Sequence, residues 1–351
     1  MLVGGVDELG VPLSVLDLAP VGEGSSPRAA LRASLDLARR AEELGYHRYW
    51  VAEHHNMPGI ASSSPPVLLA HVASATSTIR LGSGGVMLPN HSPLIVAEQF
   101  GMLEALHPGR IDLGLGRAPG SDPLTAQAVR RSRQAVLADD FPEQLVELIG
   151  YFTGDFAEGH PFRRITAVPG LGYQPELWLL GSSDYSARAA GLMGLPFSFA
   201  HHFASGNTQA AVDMYRASFR PSATLDAPHL MLGVAVIAAD DEREAQWLSG
   251  PAKLAFLRLR QGRPGRYPTP EEAAEYTFTP HEREMVRSWM SSMIVGPPDQ
   301  VQSDLTALVA RTAADELIVT TMTHSPTDRL HSYELLTKAW SSRAPTPATA
   351  D

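Results

Sequence analysis

Apolar strand-like segments alternate with amphipathic helical segments along almost the whole chain, and this alternation limits the possible folds more than any other feature. Strands are expected at 13–18, 48–52, 79–83, 111–115, 177–180, 196–200, 229–237 and 316–321. After the first, Ser26-Pro27 has the form of a helix start: a hydroxyl to cap free amides, then proline at the first helical position. Leu31, Leu35, Ala38 and Leu44 follow at helical spacing, and Gly45 supplies the stop. Further helical stretches are expected at 66–75, 94–106, 132–151, 209–219 and 327–340, with another ending at Gly191. Strict alternation implies parallel strands, and eight of them match an α/β fold of the (β/α)8 TIM-barrel type. A doubly wound open sheet is the structural rival, because periodicity alone does not decide closure.

The 351 residues suit a single barrel domain over 1–343 with an insertion at about 240–297, between strand seven and the last crossover helix. Within that insertion Thr279-Pro280-His281-Glu282 has capping-box spacing. An excursion of this length at a barrel mouth lids the site or builds an interface. The Pro/Thr/Ala-rich tail, 344–351, is expected to be disordered. A formal charge of −10 argues against a nucleic-acid surface and suits a small-molecule ligand. Cysteine is absent, which excludes disulfides, thiolate nucleophiles and iron–sulfur clusters. No apolar run nears the ~20 residues that span a bilayer, and residues 1–10 carry Asp7 and Glu8 without a basic segment. A cytoplasmic enzyme without a membrane role is the expectation.

Function gathers where strands end, since loops at the C-terminal edge of a parallel sheet vary freely on a rigid base. The second strand ends in Glu53-His54-His55-Asn56, placing two imidazoles at that edge. The alternative is a histidine that merely satisfies loop backbone groups. The third strand runs into Gly84-Gly85-Val86-Met87, then Asn90 and His91; paired glycines either form a bulge or let a flat ligand lie against the backbone. The fourth ends in Gly116-Arg117, whose guanidinium fork suits an anion. After the fifth come Gly181, Ser182, Ser183, Asp184 and Tyr185 at a helix start, where unpaired amides favour phosphate, unless the serines simply cap the helix. The sixth ends in His201-His202. Four histidines raise a metal site as an alternative, but no His-x-His pair and no aspartate after strand eight support it.

These strand ends, taken in order, resemble the bacterial luciferase-like flavin-dependent monooxygenases. The segments that carry the likeness are Ala52-Glu53-His54-His55-Asn56-Met57, Gly84-Gly85-Val86-Met87-Leu88-Pro89-Asn90-His91-Ser92-Pro93, His107-Pro108-Gly109-Arg110-Ile111-Asp112-Leu113-Gly114-Leu115-Gly116-Arg117-Ala118-Pro119-Gly120 and Gly181-Ser182-Ser183-Asp184-Tyr185-Ser186. Asp315-Glu316-Leu317-Ile318-Val319 is similar to the family's last strand. The resemblance implies an FMN-dependent monooxygenase. In such enzymes reduced FMN, supplied by a separate flavin reductase, reacts with O2 through a flavin hydroperoxide and oxygenates a small organic substrate. It implies His54 as the catalytic proton-handling residue, and Gly84, Gly85, Met87, Arg117, Gly181, Ser182, Ser183 and Tyr185 around FMN. It also implies a non-prolyl cis peptide at Gly84–Gly85 and a homodimer. His55, Asn56, Asn90, His201 and His202 are expected to line the substrate pocket. Gly116 stands where light-emitting members have a cysteine, which argues against luminescence. The competing functions are a deazaflavin (F420)-dependent dehydrogenase, which would need extra basic residues at the mouth, and a non-catalytic flavin-binding protein.

Overall fold

The computed structural model describes residues 10–117, 122–130 and 140–341. The expected disordered tail and the 132–139 part of the long helical stretch lie outside these residues. Eight parallel strands close into a ring: β1 (Leu13–Asp17), β2 (Arg48–Val51), β3 (Arg80–Met87), β4 (Ile111–Gly116), β5 (Glu176–Gly181), β6 (Phe197–Phe199), β7 (Leu230–Ala238) and β9 (Glu316–Thr320). Pairing runs in order from β1 to β7, then β7 with β9 and β9 with β1, so the sheet is closed and the open-sheet rival is excluded. A further strand, β8 (Met293–Gly296), pairs in parallel with Ala235–Ala238 of β7, outside the ring. It sits in the insertion, where none of the expected strands falls.

The helix starts follow the expected chemistry. Ser26 accepts the Ala29 amide ahead of helix Pro27–Glu43, and Gly45 takes a left-handed φ of +79° just beyond that helix. Thr279 and Glu282 form the complete capping box of helix Pro280–Met290. Outward strand residues such as Val15, Tyr49, Leu81, Leu113, Leu179 and Val319 join the helices in one continuous core.

The barrel interior is layered, as side chains of period two require. Its middle holds Leu16, Trp50, Trp178, Met231 and Ile318, all buried, with the two indoles edge to face at 5.4 Å. A Cβ at Gly84 would lie 2.6 Å from Leu16 Cδ1, so the large neighbours fill the space that this glycine leaves. Below lies a charged layer. Arg48 pairs with Asp112 at 2.9 Å, Glu316 at 3.1 Å and Glu176 at 3.3 Å, while Arg80 bridges Asp112 and Glu176. Ser14 donates to Glu316, and Trp50 Nε1 donates to Asp112 at 2.8 Å. Nothing in the local sequence announces this layer. The opposite, C-terminal ends of the strands form the mouth. Among the described residues no helix is long and apolar enough to cross a membrane.

Candidate functional site

Every residue singled out in the sequence sits at or near the mouth, but the structure sorts these residues into separate groups. The first contains His54, three residues past the end of β2. Its amide donates to the Ser62 carbonyl at 3.0 Å, folding the loop back over the strand end. Its Nδ1 is buried and has no hydrogen-bond partner among the described residues. Burial pushes the imidazole down to about 4, against the upward pull of Glu53, so His54 is neutral near pH 7. His202 lies in its electrostatic reach. Burial, with a minor push from His54, lowers that imidazole too to about 4, while Nδ1 bonds the Gly233 carbonyl at 2.9 Å. A Cβ on Gly233 would come within 2.9 Å of the same nitrogen, so a side chain there would displace the ring. His201 leaves this group. It is buried with Nδ1 2.7 Å from Thr208 Oγ1, on the helical side of its turn.

These two low values give a stability prediction. In the unfolded chain both histidines take up protons near pH 6.5. Between about pH 6.5 and 4 the unfolded state therefore binds more protons, and stability falls as pH falls through this window, levelling off below it. His202→Asn, which keeps a donor for the Gly233 carbonyl, should flatten the profile. Urea denaturation at stepped pH measures this, and an equally steep slope in the variant would refute it.

The second group is built on the end of β3. The Gly84–Gly85 peptide is cis, and the β3–β4 register shifts between Gly84 and Val86. Here the Met87 amide donates to Glu53 Oε2 at 3.1 Å, and His55 and His91 each place Nε2 2.8 Å from Glu53 Oε1. His55 is therefore held by a carboxylate. Asn90 contacts Met87 Sδ at 3.8 Å and accepts from Arg130 at 2.9 Å. Asn56, in a left-handed conformation, donates to Asp122 at 3.1 Å on the rim. Sequence reasoning passed over Glu53 as a site residue. Its one local signal is an acid between an apolar strand and two histidines.

The third group is the corner between β4 and β5. The Arg117 guanidinium lies over the Tyr185 ring, 4.1 Å from its centroid. Tyr185 opens helix Asp184–Met193, and the N-cap residue Ser183 does not spend its hydroxyl on the helix amides. Ser182 and Ser183 are exposed, so the capping alternative is not realised. A Cβ on Gly181 would collide with Ser186, so only glycine brings the strand this close to the helix start. A planar cation, hydroxyls and open helix amides converge here, a donor set that fits a phosphate.

The insertion covers one side of the mouth. Tyr267 N donates to the Val21 carbonyl and Glu23 N to the Tyr267 carbonyl, both at 2.9 Å, while Tyr267 Oη reaches the Met322 carbonyl at 2.8 Å. This strap joins the loops after β1 and β9, and Gly59 of the loop after β2 accepts from Val21 at 2.9 Å. Beyond it a cleft of about 560 Å³ opens between the insertion and the segment after β6, walled by the stacked rings of Phe256 and Trp289.

Comparison with known proteins settles the family. The model of the luciferase-like monooxygenases matches residues 11–316. The chain belongs to this family. A luciferase-like monooxygenase of Escherichia coli K12 is 48% identical over 325 residues, covering 93% of this chain and 96% of the relative. The crystal structure of apo-MsnO8 is 39% identical, with a TM-score of 0.83, 96% of this chain covered and all of the other. The oxygenating constituent of a 3,6-diketocamphane monooxygenase from Pseudomonas putida, solved with FMN, has the same fold at a TM-score of 0.70 and 19% identity. That match covers 96% of this chain and 99% of the other. For this luciferase-like chain the expected family and barrel are thereby established, and with them an oxidoreductase.

Proposed function

We propose that this chain uses reduced FMN and O2 to oxygenate a small organic substrate, giving oxygenated product, water and oxidised FMN. The observation that carries the reading is the corner where Arg117 lies flat on Tyr185 beside an open helix start, within the same barrel mouth as His54. FMN in the diketocamphane enzyme supports the choice of flavin. Arg117, Tyr185, Ser182 and Ser183 would hold the phosphate, and the Gly84–Met87 backbone would lie against the ring system. Bound reduced flavin supplies the two electrons that activate O2. The protein supplies the rest. His54, neutral and with Nδ1 uncommitted, can take or return a proton at that nitrogen. The Tyr267 strap narrows water access from the β1 and β9 side. His202, also neutral and braced by Gly233, gives the substrate a fixed polar neighbour. On this reading a separate reductase delivers the reduced flavin, and the chain works in the cytoplasm as a homodimer.

Arg117→Ala should weaken FMN by about 10–100-fold, the scale of one charge-assisted hydrogen bond, and leave riboflavin unchanged because it has no phosphate. Equal loss for both ligands in a fluorescence titration would remove Arg117 from the phosphate site. The function itself is tested by supplying reduced FMN through a flavin reductase under ¹⁸O2, with a substrate panel and deazaflavin in parallel. Label in a product establishes the oxygenase. Hydride transfer to deazaflavin without label would identify a dehydrogenase instead, and flavin binding with neither outcome a storage protein.

A further inference from the structure

Glu53 is an acid in a place where an acid is costly. It is 1% exposed, between the end of β2 and the end of β3. Burial raises the pKa of such a carboxyl, yet bonds from His91 and His55 and the Met87 amide outweigh burial and hold it below the usual range. The carboxylate is therefore ionised at neutral pH and accepts three hydrogen bonds within 3.1 Å. Its donors come from two chain segments. His55 belongs to the loop that carries His54, and Met87 and His91 belong to the segment that leaves the Gly84–Gly85 peptide.

We propose that Glu53 is a positioning residue, whose carboxylate clamps the His54 loop to the Met87–His91 segment so that His54 and the Gly84–Gly85 backbone keep one mutual geometry. The inference rests on the flavin reading of the mouth. A hydrophobic residue of similar size would fill the space but would tie neither segment, and would leave the Met87 amide unpaired. Glutamine keeps the shape, yet one of its two terminal atoms is a donor. It then faces either the Met87 amide, whose bond is lost, or the two imidazoles, which must change tautomer to accept at Nε2; in both cases the charge that strengthens the clamp is gone. Glu53 acts through its neighbours, so a weakened clamp is felt as misplacement; a shift of about 1 Å at a reacting centre can cost ~10²-fold in rate.

The test compares Glu53→Gln, His91→Gln and the double variant in two assays. The first reads the affinity and visible circular dichroism of bound oxidised FMN, which need no turnover. The second reads the rate at which bound reduced FMN is oxidised by O2. Glu53→Gln is expected to hold FMN within about threefold of the parent, change the flavin dichroism, and alter the oxidation rate by about tenfold or more. His91→Gln should give a smaller change of the same kind. The double variant should match Glu53→Gln, because both changes release the same clamp. Parental dichroism and oxidation rate in both single variants would overturn the proposal, as would fully additive effects. If Glu53→Gln does not fold, His91→Gln alone decides by the same two readouts. A parent protein that binds no FMN would overturn the flavin reading instead, so the two failures are distinguishable.

Discussion

His54→Ala should lower oxygenation turnover by about 10²–10⁴-fold, the range for losing a well-placed proton donor or acceptor, while FMN affinity changes little. The reason is the state of the ring. Burial holds the imidazole at about 4, so at neutral pH it is uncharged and contributes no ion pair to a bound phosphate. On the proposed reading, Arg117 and the start of helix Asp184–Met193 would serve that role at a different corner. What alanine removes is Nδ1, a buried nitrogen with no partner among the described residues. An unpaired buried polar atom is costly in the empty fold and is tolerated where a ligand or a reaction uses it. The low pKa adds a second signature. Parent turnover should fall on acidification toward pH 4, as the ring becomes charged, and the residual turnover of the variant should lose this limb. The measurement is kcat and FMN affinity against pH for both proteins. Unchanged kcat would exclude His54 from the chemistry, and a joint collapse of affinity and stability would make its role structural.

How much of this was legible in the sequence differs between fold and site. The eight ring strands and the caps at Ser26 and Thr279 follow from short-range patterns, which is where propensity and capping act. Strand β8 escaped because four residues, Met293 to Gly296, carry no period that separates a strand from the end of a helix. The site was legible as positions and not as partners. His201 and His202 look equivalent in sequence, but adjacent residues in a helical turn point about 100° apart, a consequence of 3.6 residues per turn. One ring meets Thr208 and the other Gly233. Gly84 likewise reads as room for a ligand, whereas its missing side chain is also room for Leu16 and Trp50. The charged floor of the barrel was invisible. Arg48, Asp112, Glu176 and Glu316 each look like an ordinary polar residue near a strand start, and only closure of the ring brings them together.

That floor carries the largest expected effect on stability. Arg48→Met should cost about 3–5 kcal/mol, the scale for breaking a buried ion pair by removing one partner. Methionine fills most of the volume, so the loss is mainly electrostatic. Asp112 keeps Arg80 and the Trp50 indole, and Glu316 keeps Ser14, but each loses its shared cation while remaining buried. Burial already pushes Asp112 upward against the pull of Arg48 and Arg80, so without Arg48 it rises further. Glu316 is now held below the usual range, burial being outweighed by His229 and Arg48, and it should rise as well. A carboxyl raised in the folded state binds protons that the unfolded state releases. The deficit of the variant relative to the parent should therefore grow as pH rises and shrink toward pH 5. A second change, Glu316→Gln, should recover part of the loss by removing one uncompensated charge. Chemical denaturation of the three proteins at pH 5.5 and 7.5 reads all of this. A deficit independent of pH and untouched by Glu316→Gln would mean that Arg48 stabilises the barrel by filling space, not by neutralising its floor.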